Sequence, residues 1–181
     1  PYRAVPHAVG AKHRVATGTF NRPPGPRRGM KATATAHPIQ GLIKYHGMHD
    51  EELRLPYHDS ISICTAPSHT ITTVEFQPDA AEDVYIIGGD RVEGRGAERI
   101  DAVVDHVRDR AGVDHPVRLE SENSFPPNIG FGSSASGFAA AAMALSTAAG
   151  LDLSRPEVST IARRGSASAA RAVTGAFSHL H

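Results

Sequence analysis

Among its 181 residues the chain has one cysteine, no tryptophan and three methionines. A single thiol, Cys64, cannot close an internal disulfide. It lies in an apolar, β-branched run and is expected as a buried structural thiol rather than a nucleophile. No apolar run approaches the roughly twenty residues that span a bilayer. Nor does the start carry a signal-peptide pattern, so the reading is cytoplasmic, with no membrane partner.

Acid is missing from one end. Residues 1–29 hold six Lys/Arg, five prolines and no Asp or Glu. Without periodicity, that stretch reads as a disordered basic extension. Met30 follows, just before a clean strand pattern, and is expected as the natural start, with 1–29 upstream or non-native. A basic arm for nucleic acid is the rival reading and is set aside.

Lysine is scarce in the remainder. Residues 30–181 contain only Lys31 and Lys44, beside eleven arginines and all 19 acidic residues. The formal net charge of zero therefore hides a body of 13 − 19 = −6. An acidic, lysine-poor surface suits a high-salt cytoplasm, because carboxylates hold water and keep like molecules apart. In such a chain Lys44 stands out.

What is present begins with PPNIGFGSSASGFAAAAMAL, Pro126 to Leu145. Alanine, methionine and leucine favour helix, so a helix is expected from Ala135 to Ala149, stopped by Gly150. Gly130 and Gly132 permit left-handed backbone and close ligand approach. Ser133, Ser134 and Ser136 bring hydroxyls to a helix N-terminus, where free N–H groups and the dipole favour an anion. A plain Gly/Ser turn with a serine cap remains the structural alternative. The Walker pattern fails for want of a lysine. The nucleophile elbow fails because Ser136 stands where a glycine is needed. The dinucleotide fingerprint fails on its last spacing.

Strands are expected at Lys31–His37, Ser60–Ala66, Thr70–Phe76 and Val117–Glu122, with Thr70, Thr72, Val74 and Phe76 on one face. Val84–Val92 reads as a hairpin around Gly88-Gly89-Asp90. Ala97, Ile100, Val103, Val104, Val107 and Ala111 recur at helical steps. SRPE, Ser154 to Glu157, is a capping box opening a helix to about Gly165, and Ser166 restarts a short helix through Val173. Strands precede helices, which implies α+β. The His46-x-x-His49 pair lacks the further spaced ligands of a zinc site.

Four stretches together resemble one family. Pro126 to Ala135 resembles the phosphate-binding loop of the galactokinase, homoserine kinase, mevalonate kinase and phosphomevalonate kinase (GHMP) superfamily. IKYHGMHD, Ile43 to Asp50, resembles the I-K-Y-W-G-K segment of mevalonate diphosphate decarboxylases. LPYHDSIS, Leu55 to Ser62, resembles their L-P-x-N-x-S-[IL]-S strand, and RRGSASAAR, Arg163 to Arg171, their G-S-G-S-A-x-R segment. The chain departs from that pattern at His46 and Met48, where the family has Trp and a second Lys. Losing that lysine removes a cation where a second phosphate would need one. The chain therefore resembles most the phosphomevalonate decarboxylase branch of halophilic archaea.

The resemblance implies a GHMP-type N-terminal domain over residues 30–181, similar to the second domain of a small-subunit ribosomal protein, with a mixed sheet packed against helices. It implies ATP and Mg²⁺ as cofactors, mevalonate 5-phosphate as small-molecule substrate and decarboxylation to isopentenyl phosphate. The 5-diphosphate reaction and a non-catalytic nucleotide-binding fragment are the alternatives, and a homodimer stays open. Gly130, Gly132, Ser133, Ser134 and Ala135 would hold ATP, Ser133 near magnesium. Lys44 would lie beside the reacting hydroxyl. Arg171 would hold the substrate carboxylate, where a planar fork makes two hydrogen bonds. Ser166 and Ser168 would hydrogen-bond substrate, and Tyr45, His46 and Arg99 would line its phosphate end. The family's catalytic aspartate lies in a C-terminal half not found in this chain.

Overall fold

The computed structural model describes residues 30–126 and 130–181. The expected basic extension 1–29 lies outside them, as do Pro127, Asn128 and Ile129 of the glycine–serine motif. Ten strands and four helices are described. They are β1 (Lys31–Ala36), β2 (Ile39–Ile43), β3 (Met48–Asp50), β4 (Leu55–Pro56), β5 (Ser60–Cys64), β6 (Thr70–Phe76), β7 (Val84–Ile87), β8 (Asp90–Arg91), α1 (Arg95–Ala111), β9 (Val117–Asn123), α2 (Ser133–Ala148), α3 (Arg155–Gly165), α4 (Ala169–Thr174) and β10 (Phe177–Leu180).

A five-stranded mixed sheet has the order β1-β6-β9-β7-β8. β7 and β9 run parallel, joined through α1, and the other neighbours run antiparallel. Along β6, Thr70, Thr72, Val74 and Phe76 are the buried face, as their alternation demands. Val74, Phe76, Val117 and Leu119 build the core with Val103, Val104 and Val107 of α1 and Leu145 of α2.

The central α2 is buried on most of its circumference. Its alanines make that possible, since small side chains let the sheet and the neighbouring helices approach closely. Where α3 ends against it, a Cβ on Gly165 would stand 2.1 Å from the Phe138 ring. Gly150, with φ +73, closes α2. The Gly150 and Leu151 amides donate to the Thr147 and Ser146 carbonyls, as in a Schellman motif. At the start of α3 the Glu157 carboxylate accepts from the Ser154 N–H at 2.9 Å, completing the expected box.

Two expectations need correction, and one element was missed. Ser166 does not restart a helix: it is extended, and Ser168 opens α4. Gly165 packs against Phe138, and its carbonyl accepts from Arg99 rather than from a following helical turn. Cys64 is only half-buried. Finally, β10 was not anticipated. It joins β5 and β2 in a second, antiparallel sheet, β10-β5-β2. That sheet is inverted in polarity. Ser60, Ser62 and Ser178 are buried, whereas Ile43 and Phe177 are exposed.

Candidate active site

The glycine–serine loop is held by a close backbone approach. Gly132 caps α2 in a left-handed conformation, φ +77, and a Cβ there would stand 2.9 Å from the Ile39 carbonyl oxygen of β2. Only glycine fits without a shift. The first turn of α2 carries no side-chain cap and no acidic residue. The Gly132 carbonyl accepts from the Ala135 and Ser136 amides. The Ser133 and Ser134 amides keep the free-donor status of helix starts. Ser133 is half-buried, Ser134 exposed and Ala135 buried. The Ser136 hydroxyl is already engaged with Thr70, 2.6 Å away, so it belongs to the core. An anion therefore fits the loop at its free amides and glycine backbone.

The loop touches the start of β2, and Lys44 follows that strand's far end. Lys44 is exposed, with its stem lying over Gly41; a Cβ there would be 3.0 Å from Lys44 Cγ. Next to it Tyr45 lies under a guanidinium, with Arg171 Cζ 5.6 Å from the ring centroid. Arg171 is 6% exposed. Its Nη1 donates to the Ser60 hydroxyl, and its Nε is buried with no hydrogen-bond partner among the described residues. Burial pulls this guanidinium below its ordinary value, although the Tyr45 oxygen opposes the trend. A buried cation with unused donors and no carboxylate is costly unless an anion arrives.

The Ser166 and Ser168 hydroxyls lie 2.9 Å apart at the turn before Arg171. The structure thus brings Tyr45, Ser60 and Arg171 together, with Ser166 and Ser168 on the same short segment. His46 is exposed and makes no hydrogen bond among the described residues. Arg99 has a partner of its own: Nε and Nη2 donate to the Gly165 carbonyl at 3.0 and 2.7 Å, and its charge sits 4.9 Å above the Phe138 ring. At least part of its role is to tie α1 to the end of α3. No cluster of three metal-ligating side chains occurs among the described residues. Sequence reading missed Ser60 as a partner of Arg171. The available signal was SISIC, which alternates serine with isoleucine but does not reveal which face is buried.

Comparison with known proteins narrows the reading. Residues 36–181 match the family model described as the diphosphomevalonate decarboxylase-like N-terminal domain. The chain is 83% identical over 152 residues to a phosphomevalonate decarboxylase of Haloferax volcanii, a match covering 84% of this chain and 47% of that protein. A structure of the mevalonate diphosphate decarboxylase from Enterococcus faecalis, concerned with its ATP-binding mechanism, aligns with TM-score 0.79 and 38% identity over 84% of this chain and 47% of its own. A further structure, solved in complex with MVAPP, AMPPCP and magnesium, aligns with TM-score 0.79 and 38% identity over 84% and 46%. The chain spans about half the length of the relatives it matches. It belongs to the diphosphomevalonate decarboxylase-like N-terminal domain family.

Proposed function

We propose that this chain is the nucleotide- and substrate-binding half of an enzyme that decarboxylates mevalonate 5-phosphate to isopentenyl phosphate at the expense of ATP. In that reaction a phosphoryl group passes from ATP to the tertiary 3-hydroxyl oxygen. The C3–O bond then breaks as phosphate leaves, the carboxylate departs as carbon dioxide, and its bonding pair becomes the new double bond. The observation that carries the reading is Arg171, nearly buried, with no carboxylate partner among the described residues and Nε unused. Such a fork suits a substrate carboxylate, and Ser60 fixes its orientation from behind.

The amides of Ser133 and Ser134, with Gly130 and Gly132, would cradle the ATP phosphates, and the Ser133 hydroxyl would face magnesium. Magnesium would neutralise phosphate charge during transfer. Lys44, exposed at the end of β2, would supply positive charge beside the reacting oxygen. Ser166 and Ser168 would orient the substrate, and Tyr45 and His46 would line its phosphate end. Met48 stands where the family has a lysine, which favours a monophosphate. The diphosphate reading keeps one support: the structural neighbour solved with MVAPP. No helix among the described residues is long and apolar enough to cross a membrane, in keeping with an enzyme of the cytoplasm, and the lysine-poor acidic body suits a halophile. The exposed Ile43 and Phe177 offer a face for the other half or for a second copy.

The test is release of labelled carbon dioxide. The chain alone should release none, because the aspartate base expected from the family is not in it. General-base catalysis is typically worth roughly 10²- to 10⁴-fold. Joined to the C-terminal half of the Haloferax relative, it should turn over mevalonate 5-phosphate faster than the 5-diphosphate. Preference for the diphosphate would overturn the substrate assignment; no turnover of either by the joined protein would overturn the enzyme reading.

A further inference from the structure

Eleven arginines lie in residues 30–181, and they divide sharply. Arg91, Arg108, Arg110 and Arg118 are in ion pairs. Arg54, Arg95, Arg99, Arg163, Arg164 and Arg171 form no ion pair among the described residues, nor does the exposed Arg155. Five of the six gather at the end of α3. Arg54 Nε donates to the Arg164 carbonyl at 2.8 Å, and Arg99 donates to the next carbonyl, that of Gly165. Two guanidinium groups are therefore docked on consecutive carbonyls. The charges of Arg54 and Arg95 both bear on Arg99. Glu98, next to Arg99 in sequence, pairs with none of them, and the charge of Asp50 bears on Arg163 alone of the five, without an ion pair. Arg54 holds φ 52, a left-handed angle that is unfavourable for a side chain of its size.

The structural account of this cluster is helix-end capping, since cations favour helix C-termini. Capping uses one of the five N–H donors of Arg54 and two of those of Arg99. The remainder stay available, and like charges so placed repel unless an anion lies between them. Moreover, the position is apt. Arg54 lies in the turn of the β3–β4 ribbon, the same ribbon that carries Met48 where the family has its lysine. The segment Gly165–Arg171 then has a docked pair of guanidinium groups at one end and Arg171 at the other. A short substrate with a carboxylate at one end and a phosphate at the other matches that layout.

We propose that Arg54 and Arg95 join Arg99 in holding the single phosphate of the substrate, the place of the second phosphate staying without the cation that Met48 lacks. This rests on the decarboxylase reading above for the identity of the phosphate carrier, though not for the anion site itself. Arg54 is then a specificity-determining residue of this chain, and nothing in its motif resemblance assigns it.

Binding to the 181-residue chain tests this, by calorimetry with mevalonate 5-phosphate, mevalonate and inorganic phosphate as separate probes. In Arg54→Gln, affinity for mevalonate 5-phosphate should fall about 10- to 100-fold, the worth of one charge-assisted hydrogen bond. Affinity for mevalonate should stay unchanged, and Arg54→Lys should recover part of the loss. Should Arg54→Gln fail to fold, Arg95→Ala serves instead, because that side chain is exposed and makes no hydrogen bond among the described residues; a severalfold loss is expected. Unchanged affinity of folded Arg54→Gln or Arg95→Ala for the phosphorylated probe overturns the proposal and leaves the decarboxylase reading standing. Loss of inorganic phosphate binding in Arg54→Gln, with no binding of mevalonate 5-phosphate by the unmodified chain, keeps the anion site and overturns its assignment to the phosphate monoester.

Discussion

The arginines at the two ends of α1 do opposite work. Near its C-terminal end Arg108 is closed in on every side. Its Nη1 donates to the Asp83 carboxylate at 2.9 Å, and its Nε and Nη2 donate to the His115 carbonyl at 3.1 and 2.8 Å. Asp83 also accepts from the Val117 amide, and the adjacent Tyr85 donates to Asp101 at 2.7 Å. Near the N-terminal end Arg95 and Arg99 have no carboxylate, and nearby Arg54, Arg163 and Arg164 add to the charge. Shortage of acid is not the reason, since residues 30–181 hold 19 acidic residues against 13 basic ones. The part-buried pair of Arg108 with Asp83 fastens the fold. On the proposal above, the unpaired guanidinium groups docked at the end of α3 await an anion, and that contrast would mark the ligand face without reference to any motif.

Substitutions can break the contrast. The largest effect is expected at the loop. Gly132→Val puts a branched side chain at φ +77 and against the Ile39 carbonyl. Calorimetry should find nucleotide binding abolished while the circular dichroism of the helices persists; unchanged ATP affinity in the folded variant would remove the loop assignment. Next, Arg171→Met should weaken substrate binding about 100-fold, since a bidentate charged contact is lost. Its melting temperature should hold or rise, because replacing a buried unpaired cation by an apolar chain is often neutral or stabilising. A marked drop in melting temperature would move Arg171 to the structural class.

Arg108→Ala should do the reverse. Side-chain exposures of 16% and 25% for Arg108 and Asp83 mark a largely desolvated pair. Its loss should cost about 2–3 kcal/mol, or roughly 5–10 °C in melting temperature, with ligand affinity unchanged.

A smaller effect is expected with acid. Burial raises the Asp83 carboxyl, but hydrogen bonds from Arg108 and Val117, with the Arg108 charge, outweigh it and hold the group below its usual value. The folded state thus binds the proton less tightly than the unfolded state. The stabilisation from Asp83 is full above about pH 5 and drains away as the pH falls below about 4 and through the depressed value. Urea titrations of Asp83→Asn should show a shallower loss of stability over that acid range than the parent chain; parallel curves would contradict the assignment. The smallest effect is expected from Arg91→Ala, an exposed pair with Glu82 whose side chains are 51% and 66% exposed. No measurable shift in melting temperature should follow.

Much of this was legible in the sequence because local signals agreed. Thr70–Phe76 alternated, Ser154–Glu157 formed a box, and Gly88–Gly89 turned a hairpin; each stands as read. The glycine–serine stretch was legible as the start of a helix, and Gly130 and Gly132 do take left-handed angles before α2. The misses have a common cause. The β10 strand, the burial of Ser60 and Ser178, and the docking of Arg54 and Arg99 on α3 all depend on residues 66 to 120 positions apart or on a sheet whose polar face turns inward. Period two predicts alternation but not which face is buried. An arginine in sequence likewise does not announce whether a carboxylate will meet it.

The claim that the unpaired arginines are the ligand face is tested most directly by backbone amide shifts during titration of the chain with mevalonate 5-phosphate. The account predicts changes confined to Lys44–His46, Arg54, the first turn of α1 and Gly165–Arg171, with Asp83, Arg108 and Val117 still. Shifts centred on Asp83 and Arg108, or none at saturating ligand, would contradict it.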